Sequence, residues 1–278
     1  MGKSIAIVGG ESVGRSVGRG LRESGWRIGS VISVDEATAR AMVRAVGAGT
    51  PHAGLTRLVL TSSVTLISVP QKELARVAAE LAAMGSNEWR GKTVLHTCET
   101  HDHSALHPLA RRGASTASLH PLYAFDKRKA APLHGVFFGI EGEVGALKIA
   151  RSIVHDLGGV AVRLNRVRYG LLEVAMRFAR NDVALLVNAS VQILNRIGFS
   201  TRQAESAAIQ LARQSLSNFK EHASRRMASA GEAFDAALFQ AQANALREFP
   251  AEYANVYEAL HMKTGADKVA AGRNSWQH

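Results

Sequence analysis

The chain has 278 residues, 46% hydrophobic and 21% charged, with 25 glycines, 6 prolines and one cysteine, which suits one large or two ordinary globular domains and excludes disordered, collagenous and disulfide-stapled classes. Cys98 has no intrachain partner and favours a reducing, cytoplasmic setting; apolar runs such as Leu58–Val69 are far short of a membrane span, and Lys3 followed by a short β-like run and glycines is unlike a secretory leader. The net charge of +11 is spread over both halves, with Lys127-Arg128-Lys129 the only basic run and no aromatic interleaving, so it points to small anions and away from a nucleic-acid partner.

Ile5–Val8 is a short β-branched run ending in Gly9-Gly10. Ser12–Ser24 has helical character and Gly25 stops it. Arg27–Val34 reads as a second strand and Glu36–Val46 as a second helix. Leu58–Leu60 and Val64–Val69 are further strand candidates, the latter ending at Pro70. Leu74–Met84 is an Ala/Leu-rich helix. Thr93–His96 is a strand, followed by a polar, histidine-rich stretch. Ala117–His120, Val136–Ile140 and Val160–Leu164 are later strand candidates, with a helix at Gly145–Leu157 between the last two. This alternation predicts a parallel sheet covered by helices. From Tyr169 to about Ile197 the chain is apolar on nearly every face, which predicts a buried helix, ended by Gly198. Thr201–Glu221, Ala233–Leu246 and Ala251–Met262 are three more helical segments, separated by Gly231 and Pro250. The tail after Lys263 is small and polar and is expected to fray. With no strand evident after Leu164, the domain boundary is placed near residue 165, giving an α/β domain over 1–165 and an all-α domain over 166–278.

The segment Ile5-Ala6-Ile7-Val8-Gly9-Gly10-Glu11-Ser12-Val13-Gly14 sets a strand, a glycine turn and a helix in the order of a dinucleotide-binding fingerprint, and so predicts a Rossmann-type parallel sheet. Gly9 takes the place of the turn-forming glycine and Gly14 that of the glycine at the helix–strand contact. Gly10, Ser12 and Val13 complete a helix N-terminus whose N–H groups and dipole suit a diphosphate. The middle glycine is replaced by Glu11, which sets a carboxylate where the diphosphate would lie. At the end of the second strand, Asp35 suits a ribose hydroxyl, hence NAD; it equally suits the cap of the helix that starts at Glu36. No arginine stands there for a 2′-phosphate, although Arg15 or Arg40 could contribute. Val69-Pro70 closes the fourth strand beside this turn.

Val8-Gly9…Gly14, Val69-Pro70, His96-Thr97-Cys98-Glu99, Ser118-Leu119-His120-Pro121-Leu122…Phe125 and Phe138-Gly139-Ile140-Glu141-Gly142 together resemble one bacterial family. Its members are Rossmann-like proteins with a C-terminal helical domain of unknown function, described as NADP-dependent oxidoreductases. They are distant relatives of 6-phosphogluconate dehydrogenase and pyrroline-5-carboxylate reductase. The resemblance implies an all-α C-terminal domain like that of 6-phosphogluconate dehydrogenase and a nicotinamide cofactor, NAD or NADP, while the fully apolar helix at Leu171–Ile197, more than one small bundle easily covers, predicts a homodimer formed through the helices. Relatives have His-x-Ser-Gly where this chain ends in Glu99. On the long helix, Glu173 replaces a histidine and Arg180 a serine, while Phe178 and Asn181 match.

Arg177 and Asn181, four apart, would share one face of that helix. Arginine cannot give up a proton in the usable range, but it clamps a carboxylate bidentately. Arg177 and Arg180 are therefore candidate ligands for a small anionic substrate, with Asn181 as a catalytic orienting group; pairing of these arginines with Glu173 or Asp182 is the structural alternative. His101-Asp102-His103 lacks the spacing of a standard metal site. His120, before Pro121, is expected at the cleft edge as a proton-handling group, or else as a turn-shaping imidazole. These features together predict reduction of a small carboxylated keto acid or imine, or, with Glu11 and Glu99 in place, a non-catalytic Rossmann protein that binds a nucleotide-like ligand or a protein partner.

Overall fold

The computed structural model describes residues 3–85, 87–99, 101–126, 129–165, 169–221 and 236–260. Lys127-Arg128 of the basic run, Gly231, residues 233–235 and 261–262 of two expected helices and the tail after Lys263 lie outside them. The chain divides into two compact units, Met1–Arg180 and Asn181–His278.

The first unit is built on an eight-stranded sheet. Its strands are β1 (Ser4–Val8), β2 (Arg27–Ser33), β3 (Thr50–Ala53), β4 (Val64–Ile67), β5 (Thr93–His96), β6 (Ser115–Pro121), β7 (Phe137–Gly142) and β8 (Val160–Arg163), in the spatial order β3-β2-β1-β4-β5-β6-β7-β8. The helices α1 (Ser12–Glu23), α2 (Glu36–Val46), α3 (Gln71–Ala83), the short α4 (His107–Ala110) and α5 (Val144–Asp156) connect them, and α6 (Tyr169–Arg177) follows β8. Alternate strand residues face opposite sides. Ile5, Ile7, Leu66, Leu95, Leu119 and Phe138 pack with Val17, Leu21 and Ile153. Ala6, Val8, Ile32, Ile67 and Val94 pack on the other side with Leu74, Val77 and Leu81 of α3.

Three features of the sheet and its connections depart from the sequence reading. Leu58–Leu60 is part of a 3₁₀ turn, Arg57–Thr61, because the Thr56 hydroxyl accepts from Leu58 N–H and starts a helical turn. An unexpected strand, β3, contains Pro51; it sits on the sheet edge, where a missing N–H leaves no ladder bond unmade. All neighbours are parallel except β6 and β7, which pair antiparallel from Ala117↔Gly142 to Pro121↔Phe138. Among the described residues no helix lies between β6 and β7, so the connection supplies no crossover and the chain folds back.

The expected buried helix at Tyr169–Ile197 is instead two α-helices with a π-helical turn between them. The turn is Phe178–Asp182, and α7 (Val183–Arg196) follows it. Within this chain most of its apolar surface is uncovered: Leu171, Phe178 and Leu185 are exposed, and Val191 is the buried residue of α7. The second unit further holds α8 (Thr201–Glu221), α9 (Ala236–Ala245) and a helix at 251–260. Its small core sets Val191 against Ala204 and Ala208.

Candidate functional site

The turn after β1 is bound to the end of β4. Gly9 has φ +116°, and a Cβ there would stand 1.9 Å from the Ser68 carbonyl oxygen, so no side chain fits. Ser68 N–H donates to Val8 O at 2.7 Å, and Gly9 N–H to Ile32 O at 2.8 Å. In the first turn of α1, Gly14 N–H donates to Ser68 Oγ at 2.9 Å, and Arg15 N–H donates to Glu11 O at 3.1 Å. The Ser12 and Val13 N–H groups head the helix, where an anion is stabilised by dipole and donors together. Glu11 is the N-cap residue and its side chain makes no cap hydrogen bond.

A crevice of about 520 Å³ opens beside this turn. Gly9, Gly10 and Glu11 form one wall, Ser33, Val34 and Thr38 a second, and Val69, Pro70 and α3 a third. The structure thus brings Gly9, Gly10, Val69 and Pro70 together, with Ser12, Val13 and Gly14 on the helix turn that follows. Asp35 does not line the crevice. It caps α2, accepting from Thr38 N–H at 2.8 Å and Thr38 Oγ1–H at 2.9 Å, and these bonds lower its pKa. Sequence reasoning missed Ser68, Thr38 and the charged face of α3. On α3, Arg76 donates to Glu73 and Glu80, each at 2.7 Å, and both bonds raise its pKa. The 3- and 4-residue spacings were a readable signal for that network; its position on the crevice was not. The crevice carries Glu11, Glu73 and Glu80 against Arg76, three carboxylates to one guanidinium.

His96, Ser118 and Glu141 are register partners across β5, β6 and β7. His96 Nε2–H donates to Asp102 O at 3.0 Å while its Nδ1 accepts from Cys98 N–H at 3.2 Å, which fixes a neutral tautomer. Burial pushes its pKa down to about 4. His120 was expected at the cleft edge, but it has no exposed surface. It meets His96 edge-on at 5.6 Å, and burial, then His96, takes its pKa down to about 3. Both faces of β6 are covered from Thr116 to Pro121, so the imidazole is enclosed whichever side it faces. Glu141, also buried, accepts from His103 N–H at 3.0 Å and pairs with His103 Nδ1 at 2.7 Å, which holds the segment before α4 against β7. Among the described residues no three His, Cys, Asp or Glu side chains gather as a metal site. Cys98 is buried and its thiol donates to Val69 O at 3.3 Å; burial first, then Glu11 and Glu99, push its pKa up to about 12, so it is a poor nucleophile.

Arg177 lies on the exposed side of α6. Arg180 stands in the π-helical turn, where the α-helical four-residue repeat behind the Arg177/Asn181 pairing does not apply. Its guanidinium pairs with neither Glu173 nor Asp182 in a salt bridge within the described residues; its Nη1 lies 3.8 Å from Glu99 Oε1. Asn181, exposed, opens the second unit.

Residues 2–121 match a Rossmann-like domain, and residues 136–264 match a domain of unknown function, DUF2520. The chain is a Rossmann-like protein with a DUF2520 domain. No curated protein matches it by sequence. Among solved structures, a Bacteroides fragilis protein described as a candidate NADP oxidoreductase is 16% identical, with a TM-score of 0.72 over 95% of this chain and 98% of that one. A Myxococcus stipitatus imine reductase variant in complex with NAD+ is 16% identical, with a TM-score of 0.64 over 98% and 95%. Prephenate dehydrogenase from Aquifex aeolicus, in complex with hydroxyphenyl propionate and NAD+, is 16% identical, with a TM-score of 0.54 over 82% and 93%. At these identities the likeness establishes the shared fold. No helix among the described residues is long and apolar enough to cross a membrane.

Proposed function

We propose that this Rossmann-like DUF2520 protein is an NAD(P)-dependent oxidoreductase that reduces a small carboxylated keto acid or imine. The observation that carries this reading is the Gly9 turn. A Cβ at Gly9 would strike Ser68 O, and Gly14 N–H is held by Ser68 Oγ, so the backbone is fixed for close approach of a diphosphate to the N-terminus of α1. The names of the structural relatives agree with it. When bound, the cofactor would supply the hydride. The chain's own part is positioning. Ser12 and Val13 N–H would hold the diphosphate, Val69 and Pro70 would bound the base side of the crevice, and Arg180, with Arg177, would take the substrate carboxylate. Asn181 would orient the reacting group. His120, neutral and enclosed, would serve through the fold of β6 and not as an acid. A homodimer through the helical unit and a cytoplasmic setting belong to the same proposal.

A second reading, ligand binding without catalysis, is favoured by Glu11. Two like unit charges about 4 Å apart repel by roughly 4 kcal/mol at an effective dielectric near 20. Calorimetric titration with NADH and NADPH tests the cofactor that the oxidoreductase reading requires, and loss of reduced-nicotinamide absorbance on adding keto acids or imines separates turnover from binding alone. The oxidoreductase reading expects saturable binding of at least one dinucleotide, tightened by Glu11→Gly. Binding of neither by the native chain or by Glu11→Gly refutes it.

A further inference from the structure

A second cavity, of about 610 Å³, lies within the first unit between the turn after β6 and helix α6. Leu122 and Tyr123 form one side; Leu172, Ala175, Met176 and Arg180 form the other. Its lining is apolar apart from the phenol of Tyr123 and one charged side chain, Arg180. We propose that this cavity binds an apolar monocarboxylate, with the carboxylate on the Arg180 guanidinium and the hydrocarbon body against Leu172 and Met176.

Three observations lead there. The volume is that of a small-molecule site, and its apolar wall leaves a polyanion nothing to pair with beyond a single cation. Arg180 Nη1 lies 3.8 Å from Glu99 Oε1, between side chains that are 38% and 37% exposed. Pairs of that kind hold little energy, whereas a planar guanidinium and an incoming carboxylate form two parallel charge-assisted bonds. A ligand carboxylate therefore displaces Glu99 at small cost. Finally, Arg180 belongs to the π-helical turn Phe178–Asp182, an interruption that recurs at functional sites because it re-aims a side chain without ending the helix. Glu99 then acts as a competitor: it holds the guanidinium before binding and repels the ligand's charge afterwards.

The binding site stands on this geometry; its ligand's being the substrate rests on the oxidoreductase reading. The test is calorimetric titration of the full chain, without dinucleotide, using 4-methyl-2-oxopentanoate and phenylpyruvate as probes. The methyl ester of each and the dicarboxylate 2-oxoglutarate serve as comparators. Both acids should bind and their esters should bind at least about tenfold more weakly, the share of a charged hydrogen-bonded pair. Arg180→Gln should lose about the same factor, Glu99→Gln should tighten binding a few-fold, and Ala175→Trp should weaken it by obstructing the apolar wall. Circular dichroism and thermal unfolding check that each variant is folded, and Arg180→Lys, which keeps charge without the fork, should fall between. Esters binding as well as acids, 2-oxoglutarate binding as well as the monocarboxylates, an unchanged affinity in folded Arg180→Gln, or no binding of either acid overturns the proposal. NADH titration of the same samples is a separate readout, so failure of this site and failure of the cofactor reading are told apart.

Discussion

Replacing Gly14 by alanine should destabilise the first unit through one contact. A Cβ at Gly14 would stand 2.7 Å from Ser68 Cβ and 3.0 Å from Ser68 Oγ, against an ordinary carbon–carbon separation of about 3.5–4.0 Å. Ser68 cannot turn away cheaply. Its Cβ is fixed by the backbone that donates to Val8 O, and its Oγ accepts from both Gly14 N–H and Thr97 Oγ1–H. Helix α1 must move instead. Overpacking of this kind costs about 1–3 kcal/mol, and stretching the Gly14–Ser68 bond about 0.5–1.5 kcal/mol more. Alanine returns about 1 kcal/mol of helix propensity, leaving a net loss near 2 kcal/mol. Gly20→Ala, on the same helix, is the control. Its Cβ would meet the Leu157 side chain alone, Cδ2 at 2.6 Å, and that atom is the end of a flexible side chain that can give way, so a much smaller loss is expected. Urea unfolding of both variants measures the difference. Ser68→Gly removes the obstructing atoms, so the Gly14→Ala/Ser68→Gly pair should be more stable than the sum of the single changes by about 1 kcal/mol or more. Strict additivity, or a Gly14→Ala variant as stable as the native chain, would refute the assignment of this contact as the tie between turn and sheet.

Further outcomes follow from the charges and the uncovered apolar surface. Converting Glu73 and Glu80 together to glutamine removes two carboxylates from the crevice and releases Arg76 from both partners; NADPH affinity relative to NADH should rise by about three- to tenfold, and an unchanged ratio in paired titrations would place the 2′-phosphate elsewhere. His96 and His120 have folded pKa values depressed to about 4 and about 3 by burial. The unfolded chain therefore takes up protons that the folded chain does not as pH falls below about 6.5. Stability should drop by up to about 1.4 kcal/mol per pH unit for each histidine between about pH 6 and 4, and a flat unfolding midpoint across that window would contradict the burial of the pair. The apolar groove between α7 and α8, which includes Leu186, Leu194 and Leu211, should be covered by a second copy. Sedimentation should then give a dimer that Leu186→Lys with Leu211→Glu converts to a monomer, and a native monomer at micromolar concentration sinks this expectation.

Where the chain's conformation is decided within ten residues, it could be read from sequence. Glu36–Val46 begins at an Asp cap and ends at Gly47 in the left-handed region, and Thr93–His96 is a continuous buried run. Both are found as expected because cap, period and stop act locally. The misreadings fall where a distant partner decides. Pro51 argues against a strand in isolation, yet β2 is already in place to pair with Thr50–Ala53. The apolar run from Tyr169 looks buried by its pattern, but burial is a property of what packs on it, and this chain leaves it largely exposed. The reversal of β7 is set by a connection without a helix, which the strand patterns themselves do not encode.

The site divides along the same line, and its charges show what the separation hid. Gly9 and Gly14 are readable because a turn advertises itself locally, while Ser68, which both pack against, is an ordinary strand-end serine 54 residues from Gly14. Glu11 and Glu99, read separately, are two lost glycines in two motifs. In the fold both act on the Cys98 thiol, each helping burial to raise its pKa, so they belong to one region of negative potential at the ends of β1 and β5. Arg180 stands 3.8 Å from Glu99 and sets a positive charge beside this region. The three charges are then electrostatically linked, and an anion reaching either the glycine turn or Arg180 meets the same field. Glu11→Gly and Glu99→Gln should therefore shift anion affinity in the same direction, each most strongly at its own site.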